Sequence, residues 1–184
     1  MQKRQLLSGA VALLFSATAL ADSFTLSSPT IGDGDTLSAA QVFNGFGCNG
    51  ENTSPALQWS GAPEGTKSFA LTVYDPDAPT GSGWWHWQVI NIPAEVDSLA
   101  ANAGSADGEM LPEGARQGPS DYGVKAFGGA CPPEGDEPHR YQFTLYALGT
   151  ETLQVPDNAS AALIGFMINA NTLDEASFTA TYGR

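Results

Sequence analysis

Short runs in which hydrophobic and polar residues alternate recur along this chain, separated by turns rich in glycine and proline. Alternation with a period of two predicts β-strands, and a short continuous apolar run predicts a strand that is buried on both faces. Segment 85–92 is of the second kind, because only Gln88 and Asn91 interrupt it. The predicted strands are 68–74, 85–92, 141–148 and 176–182, with weaker signals at 24–26 and 57–59.

One segment near the C-terminus has helical spacing instead. Asp157 or Asn158 is expected to cap the N-terminus of this helix, and segment 169–171 to end it. Segment 97–123 is polar and rich in glycine, and is predicted to be a loop. The whole pattern predicts a mostly β domain, similar to a β-sandwich, with one late helix packed at its side. The apolar helix positions are Ala161, Leu163, Ile164, Met167 and Ile168.

The first 21 residues are predicted to be a secretory signal peptide. Two basic residues are followed by an apolar segment, 6–20, and segment 19–21 has the small-x-small pattern of a signal peptidase site. The apolar run is too short to span a bilayer comfortably, so stable membrane insertion is not expected. The mature chain is then expected to be a single domain over residues 22–184, periplasmic or secreted.

The net charge of the chain indicates which classes of partner are not expected. Loss of Lys3 and Arg4 with the signal peptide lowers the number of basic residues from 7 to 5, against 20 acidic ones, so the mature formal charge is −15. Nucleic acids and anionic membranes are bound by clustered lysine and arginine. Neither is therefore expected as a partner, and the acidic surface is interpreted as a source of solubility.

Cys48 and Cys131 are the only cysteines. An even number in an oxidising compartment favours a disulfide, which would stabilise the chain by about 4 kcal/mol through the long loop that it closes. A zinc site made of both cysteines with the two histidines, His86 and His139, is the alternative. It is disfavoured because the cysteines lack the short spacing that is usual in such sites.

Both histidines lie in rigid, turn-rich segments that also carry aromatic residues. In the first segment, prolines restrict the backbone around Asp75 and Asp77 at the end of a predicted strand. The next strand begins with three tryptophans around His86 and is expected to return beside these carboxylates. Strand alternation predicts that Trp84 and His86 share one face, with the other two tryptophans on the opposite face.

The second segment is built in the same way. Gly128 and Gly129 are expected to expose backbone N–H groups as a small anion-binding nest, and Pro132 stiffens the turn that follows. His139 then enters a strand, where it shares a face with Tyr141. If the fold brings both segments together, the two imidazoles face a shared pocket with aromatic walls. Imidazoles in such a pocket are suited to anions or metals.

These segments together resemble the phosphatidylethanolamine-binding protein family, and more narrowly its bacterial YbhB/YbcL branch, described as Raf kinase inhibitor-like. The signal peptide and both cysteines make the periplasmic members the most similar. The resemblance implies a large antiparallel sheet packed on a smaller sheet, with a helix near the C-terminus. It also implies a small surface pocket for phosphate, phosphorylated head groups or carboxylates. The matching stretches are 46–48, 52–55, 65–71, 75–79, 84–93 and 128–141.

Carried over position by position, the resemblance also implies which residues form the pocket. Three departures from the family pattern bear on it. Phe127 stands where many members have tyrosine, which removes a hydroxyl donor, and Cys131 stands where eukaryotic members have glycine, so that a disulfide would stiffen or narrow the rim. Segment 120–123 also differs, and its role is left open. The implied ligand-binding residues are Asp75, Asp77, Trp84, His86, Gly129, Pro132, His139 and Tyr141.

The expected function is binding of a small anion, without catalysis and without a cofactor. The chain has no nucleophile-elbow motif, no free thiol once the cysteines pair, and no short metal-ligand spacing. Charged histidines predict tighter binding at mildly acidic pH. Two alternatives stay open. One is a metal-dependent phosphoester hydrolase that uses Asp75, Asp77, His86 and His139. The other is an inhibitor of a partner protein that acts through its surface, because eukaryotic relatives inhibit kinases and a carboxypeptidase.

Overall fold

The computed structural model describes residues 23–184, so the predicted signal peptide lies outside the described residues. A single 3₁₀ turn in this range, Ala39–Gln41, precedes the second strand. The other elements, in chain order, are β1 (Thr25–Ser27), β2 (Asn44–Gly45), β3 (Cys48–Asn49), β4 (Leu57–Ser60), β5 (Ser68–Asp75), β6 (Trp84–Pro93), β7 (Ser98–Leu99), β8 (Arg116–Gln117), β9 (His139–Leu148), α1 (Ala161–Asn171) and β10 (Thr172–Tyr182).

The strands form a large sheet, a small sheet and a short hairpin. Five strands make the large antiparallel sheet in the order β10-β9-β5-β6-β8, and three make the small sheet in the order β1-β4-β7. Strands β2 and β3 pair only with each other. The predicted mostly β architecture, a large sheet with a smaller one and a late helix, is confirmed. All six predicted strands are present, most of them longer than predicted.

Two hydrophobic clusters bury both faces of the large sheet. The main cluster joins the two sheets, with Trp59 of β4 beside Phe69 of β5 at ring centroids 5.6 Å apart. The second cluster lies under α1, where Ile164 and Ile168 pack near Ile90 of β6. Because helix and small sheet cover opposite faces, the middle strands are apolar at successive positions. Burial of segment 85–92 on both faces is confirmed at its centre.

The N-cap of helix α1 lies two or three residues later than predicted. Ser160, and not Asp157 or Asn158, is the N-cap, because its Oγ accepts the N–H of Leu163 at 3.2 Å. The Asp157 carboxylate instead pairs with Arg116 at 3.2 Å. The predicted loop 97–123 is confirmed except for the two-residue strands β7 and β8. No helix among residues 23–184 is long and apolar enough to cross a membrane.

Candidate functional site

A cavity of about 210 Å³ opens at the edge of the large sheet where β5 ends and β6 and β9 begin. These ends meet because β5 is antiparallel to both of its neighbours. Loops after β2, after β5 and before β9 complete the walls. The cavity is lined by Phe46, Asp75, Ala78, Pro79, Thr80, Trp84, His86, Tyr122, Cys131, Pro132, Pro133, His139 and Tyr141. Both histidine segments therefore reach one cavity, with six of the eight residues that the sequence implied.

Asp75, the last residue of β5, fixes the orientation of His139. Its buried carboxylate accepts the backbone N–H groups of Asp77 at 2.8 Å and Ala78 at 3.1 Å on Oδ1. Its Oδ2 accepts Nδ1–H of His139 at 2.7 Å. The other imidazole nitrogen, Nε2, lies 3.6 Å from Oδ2 of Asp136. Protein donors therefore occupy both oxygens of Asp75, and the carboxylate acts as a support for the imidazole.

A β-bulge places His86 at the cavity. Val73 pairs with Trp87 and the next residue, Tyr74, pairs with Trp85, so His86 is an extra residue on β6 without a partner on β5. The ring of Trp85 packs against that of Tyr74, with centroids 4.4 Å apart. Because of this extra residue, the side chains that precede it on β6 face the side of the sheet opposite to the one that simple alternation predicts.

The predicted distribution of the tryptophans is therefore wrong for one of them. Trp84 pairs with Asp75, two residues after Val73, so it lies on the same side of the sheet as Trp87, the partner of Val73. Trp87 is fully buried in the main cluster, and Trp84 lines the cavity. Only Trp85 of the three faces the other side. The prediction assumed strict alternation along β6, and the extra residue interrupts it between Trp84 and Trp87.

His86 is buried, and only one of its ring nitrogens has a protein partner. Nδ1 donates its proton to the carbonyl oxygen of Gly128 at 2.7 Å, whereas Nε2 is buried with no partner in the protein. Burial lowers the pKa of His86 below its usual value, against the opposing influence of nearby Asp75 and Asp121. At neutral pH the imidazole is therefore uncharged. With Nδ1 protonated, Nε2 accepts a proton or a hydrogen bond.

Two further polar atoms of cavity residues lack a protein partner. Nε1 of Trp84 and the hydroxyl of Tyr141 are both buried without one. The ring of Tyr141 meets that of His86 edge-on, with centroids 5.0 Å apart. Burial raises the pKa of Tyr141, so its hydroxyl stays protonated and can donate. His139 and Tyr141 lie on one face of β9 and Arg140 lies on the other, as predicted.

Tyr122 lines the cavity, although no role was predicted for it. Its hydroxyl donates to the carbonyl oxygen of Gly129 at 2.8 Å, and its ring stacks on Phe43 with centroids 4.0 Å apart. Burial raises the pKa of Tyr122 as well. The one available signal was an aromatic residue in segment 120–123, where the chain departs from the family pattern. Phe127, another of the three departures, does not line the cavity but packs edge-on against Trp87.

The expected nest at Gly128 and Gly129 is not formed. The N–H of Gly128 donates to the carbonyl of His86 at 2.9 Å, and the N–H of Gly129 donates to Oδ1 of Asn52 at 2.7 Å. These glycines are needed for close packing. A Cβ on Gly128 would lie 2.1 Å from the ring of Tyr122, and one on Gly129 would lie 2.3 Å from the carbonyl oxygen of Gln41. Gly129 supports the wall without lining the cavity.

Asp77 points away from the cavity. It accepts hydrogen bonds from Nε, Nη2 and the backbone N–H of Arg140 at 2.9, 2.7 and 2.9 Å. This hydrogen bonding lowers the pKa of Asp77 to about 2. The four residues considered for hydrolysis are therefore not gathered in one set. Among residues 23–184, no three histidine, cysteine or acidic side chains are grouped so that they could hold a metal ion.

The disulfide joins two walls of the cavity. Cys48 and Cys131 are bonded, with Cα atoms 6.0 Å apart, so the zinc alternative is wrong: both sulfurs are used in the bond. Cys131 itself lines the cavity beside Pro132. Arg184 holds the same two segments together, since Nε donates to the carbonyl of Pro132 at 2.7 Å and Nη1 to that of Gly47 at 3.4 Å. The rim of the cavity is therefore held together by two links, the disulfide and the hydrogen bonds of Arg184.

Similarity to known proteins agrees with this fold. Residues 27–183 match the family model described as phosphatidylethanolamine-binding protein. The crystal structure of Escherichia coli YbcL, described as a member of the mammalian PEBP family, matches with a TM-score of 0.86 and 58% identity, covering 88% of this chain and 98% of that one. The homologue CT736 from Chlamydia trachomatis matches with a TM-score of 0.73 and 28% identity, covering the same shares. The two-sheet fold is thus that of phosphatidylethanolamine-binding proteins.

This chain belongs to the phosphatidylethanolamine-binding protein family. Within the family it is similar to two Escherichia coli K12 proteins, YbcL and YbhB. It is 58% identical to YbcL over 170 residues, covering 92% of each chain. It is 49% identical to YbhB over 150 residues, covering 82% of this chain and 94% of YbhB.

Proposed function

We propose that the protein binds a small anionic group in this cavity: phosphate, a phosphorylated head group or a carboxylate. One observation carries the proposal. Trp84, His86 and Tyr141 all line the cavity, and each has a buried polar atom with no partner in the protein. Such atoms are costly unless something bonds to them. Two of them are donors, and the third becomes a donor when His86 is protonated.

We expect binding of the anion to be coupled to protonation of His86. Among the described residues that line the cavity there is no lysine or arginine, and Asp75 is a carboxylate that opposes a second negative charge. An anion beside Nε2 of His86 would raise the depressed pKa of that imidazole. His86 should therefore gain a proton on binding, either from solvent, which is a net uptake, or from a monoprotonated phosphate, which is a transfer within the complex. When the proton comes from solvent, affinity rises as pH falls. The rise begins just above the pKa of His86 in the complex and ends at the pKa of His86 in the free protein.

Titration calorimetry with acetate at pH 5.5 and pH 8 tests the mechanism. Carboxylic acids have pKa values of about 4–5, so acetate stays ionised at both values and any difference belongs to the protein. We expect binding to be at least tenfold tighter at pH 5.5 and the difference to disappear in His86→Ala. Asp77→Asn is the control, because this side chain faces away from the cavity. Equal affinity at both pH values in the unaltered protein would remove the charged-histidine mechanism.

The proposal is for binding rather than turnover. The separation of Asp77 from the other three residues supports this choice over metal-dependent hydrolysis. Metal analysis of the purified protein, together with a phosphomonoester assay, tests it. Stoichiometric zinc or manganese with hydrolysis would favour the enzyme. An effect on a partner protein that survives both His86→Ala and His139→Ala would place the function on the surface instead.

We further propose that the protein is exported and cleaved after residue 21. The disulfide supports an oxidising compartment. A Mycobacterium tuberculosis relative, LppC, 34% identical over 162 residues, carries a lipoprotein name. Intact-mass measurement of the protein from a cell-envelope fraction should give a chain that starts at Asp22. A full-length chain in the cytoplasm would contradict the proposal.

A further inference from the structure

The mouth of the cavity differs in chemistry from its floor. Phe46, at the tip of the β2–β3 hairpin, lines the cavity and is 72% exposed. Pro79 and Pro133 line it as well, on other loops. Large apolar side chains exposed next to a pocket are a frequent mark of a binding surface. The buried polar atoms described above therefore have an apolar, partly aromatic surface beside them.

The fold holds Phe46 in this position at a conformational cost. Its φ is 52°, in the left-handed region that favours glycine. Residues kept in such conformations are overdetermined by their surroundings and cluster at functional sites. Here the disulfide holds the strand that follows the tip through Cys48, and Arg184 donates to the carbonyl of Gly47, the residue next to Phe46.

Three aromatic rings cluster at the mouth. Phe43 and Tyr122 stack, with ring centroids 4.0 Å apart and planes at 19°. Phe46 packs against both of them, with centroids 5.7 Å from Tyr122 at 28° and 5.6 Å from Phe43 at 44°. These separations are those of interacting aromatic pairs. The exposed ring of Phe46 therefore extends an aromatic surface beside the cavity, against which a further ring can pack.

The volume of the cavity also favours a ligand larger than a simple anion. The cavity measures about 210 Å³. One water molecule takes about 30 Å³ in the liquid, so an anion of four or five heavy atoms takes roughly 120–150 Å³ and leaves about a third of this space unused.

We propose, on the basis of the anion binding inferred above, that the ligand is an anionic group attached by a short link to an aromatic ring, and that Phe46 determines this specificity. The anionic group bonds to Trp84, His86 and Tyr141, and the ring packs against Phe46 at the mouth. Free inorganic phosphate or acetate then fills only the inner part of the site.

Titration calorimetry with three phosphonates tests the proposal, because methyl-, phenyl- and cyclohexylphosphonate share one anionic group. For the unaltered protein we expect phenylphosphonate to bind about tenfold tighter than methylphosphonate, the equivalent of one aromatic contact. Cyclohexylphosphonate, which has similar bulk but no flat face, should fall between them. Phenylphosphonate no tighter than methylphosphonate, or no tighter than cyclohexylphosphonate, would overturn the proposal.

Variants assign the effect to Phe46. Phe46→Ala should reduce the phenyl-to-methyl ratio to below about threefold. Phe166→Ala is the matched control, since Phe166 is 68% exposed on α1 and should leave the ratio unchanged. Phe46→Gly repeats the test with a residue that suits a positive φ, in case the alanine variant disturbs the turn. An unchanged ratio in folded Phe46 variants would contradict the proposal.

The two proposals fail in different ways. If methylphosphonate does not bind the unaltered protein, anion binding fails and this inference fails with it. If methylphosphonate binds but the phenyl ring adds nothing, anion binding stands and only the aromatic specificity is lost.

Discussion

Tyr141→Phe and Tyr122→Phe remove the same atom from two residues of one cavity, yet we expect different effects on stability. The hydroxyl of Tyr122 donates to the carbonyl of Gly129 at 2.8 Å, whereas the buried hydroxyl of Tyr141 has no partner in the protein. A typical internal hydrogen bond contributes about 1 kcal/mol, and a buried polar group without one is a cost. Tyr122→Phe should therefore lower the free energy of unfolding by about 1 kcal/mol. Tyr141→Phe should leave it unchanged or raise it by up to about 1 kcal/mol.

The same pair should show the reverse order in ligand affinity. If Tyr141 donates to the bound anion, its loss removes a hydrogen bond to a charged group, which contributes about 1.5–3 kcal/mol, or roughly 10- to 100-fold in Kd. Tyr122 keeps its ring in the phenylalanine variant and gives up a bond to the backbone only. The affinity of the Tyr122→Phe variant for the anion should differ from that of the unaltered protein by less than about threefold.

Urea unfolding without added anion measures the first effect, and acetate titration calorimetry at pH 5.5 measures the second. In thermal unfolding, the loss in Tyr122→Phe corresponds to a fall in Tm of about 2–4 °C for a domain of this size. A Tyr141 variant as destabilised as the Tyr122 variant would show that the Tyr141 hydroxyl is bonded within the protein. Unchanged acetate affinity in Tyr141→Phe would remove this residue from the anion site.

Three further predictions follow from other parts of the structure. Asp77→Asn should cost about 0.5–1 kcal/mol at neutral pH through loss of the Arg140 pair. That difference from the unaltered protein should be full above pH 4 and lost as pH falls toward the pKa of about 2, in urea unfolding at several pH values. Replacing both Cys48 and Cys131 by serine should lower the unfolding free energy by about 4 kcal/mol, measured with urea. The lowered pKa of His86 means that the unfolded chain binds a proton where the folded protein does not, so stability should fall as pH drops below 6.5. This contribution is at most about 1.4 kcal/mol per pH unit, and it should be absent in His86→Gln.

Much of the fold and part of the site were predictable from the sequence. Strand pattern reports which side chains face a core, so the main strands and the helix followed from it. The position of β9 also gave the shared face of His139 and Tyr141 correctly. Cap choice was less certain, because Asp157, Asn158 and Ser160 are all good N-caps and only the path of the chain selects Ser160.

The placement of Asp77 shows where sequence reasoning stopped. Its position two residues after Asp75 indicated a second carboxylate at the ligand, but Arg140 on the neighbouring strand takes it. Tyr122 shows the opposite case, since it lies in a loop whose pattern gave no role and nevertheless forms a wall. Contacts across strands and between loops depend on register, which local residue patterns do not encode.

By itself, the amino-acid sequence determined the kinds of elements, the rigid turns around the two histidines and the residue types available for an anion. Only the tertiary structure decided which of those residues share the cavity. The bulge at His86 is the clearest instance, because one unpaired residue in β6 rotates Trp84 to the side of Asp75. Such a bulge depends on how two strands pair over their whole length, so it is a property of the folded sheet and not of either strand alone.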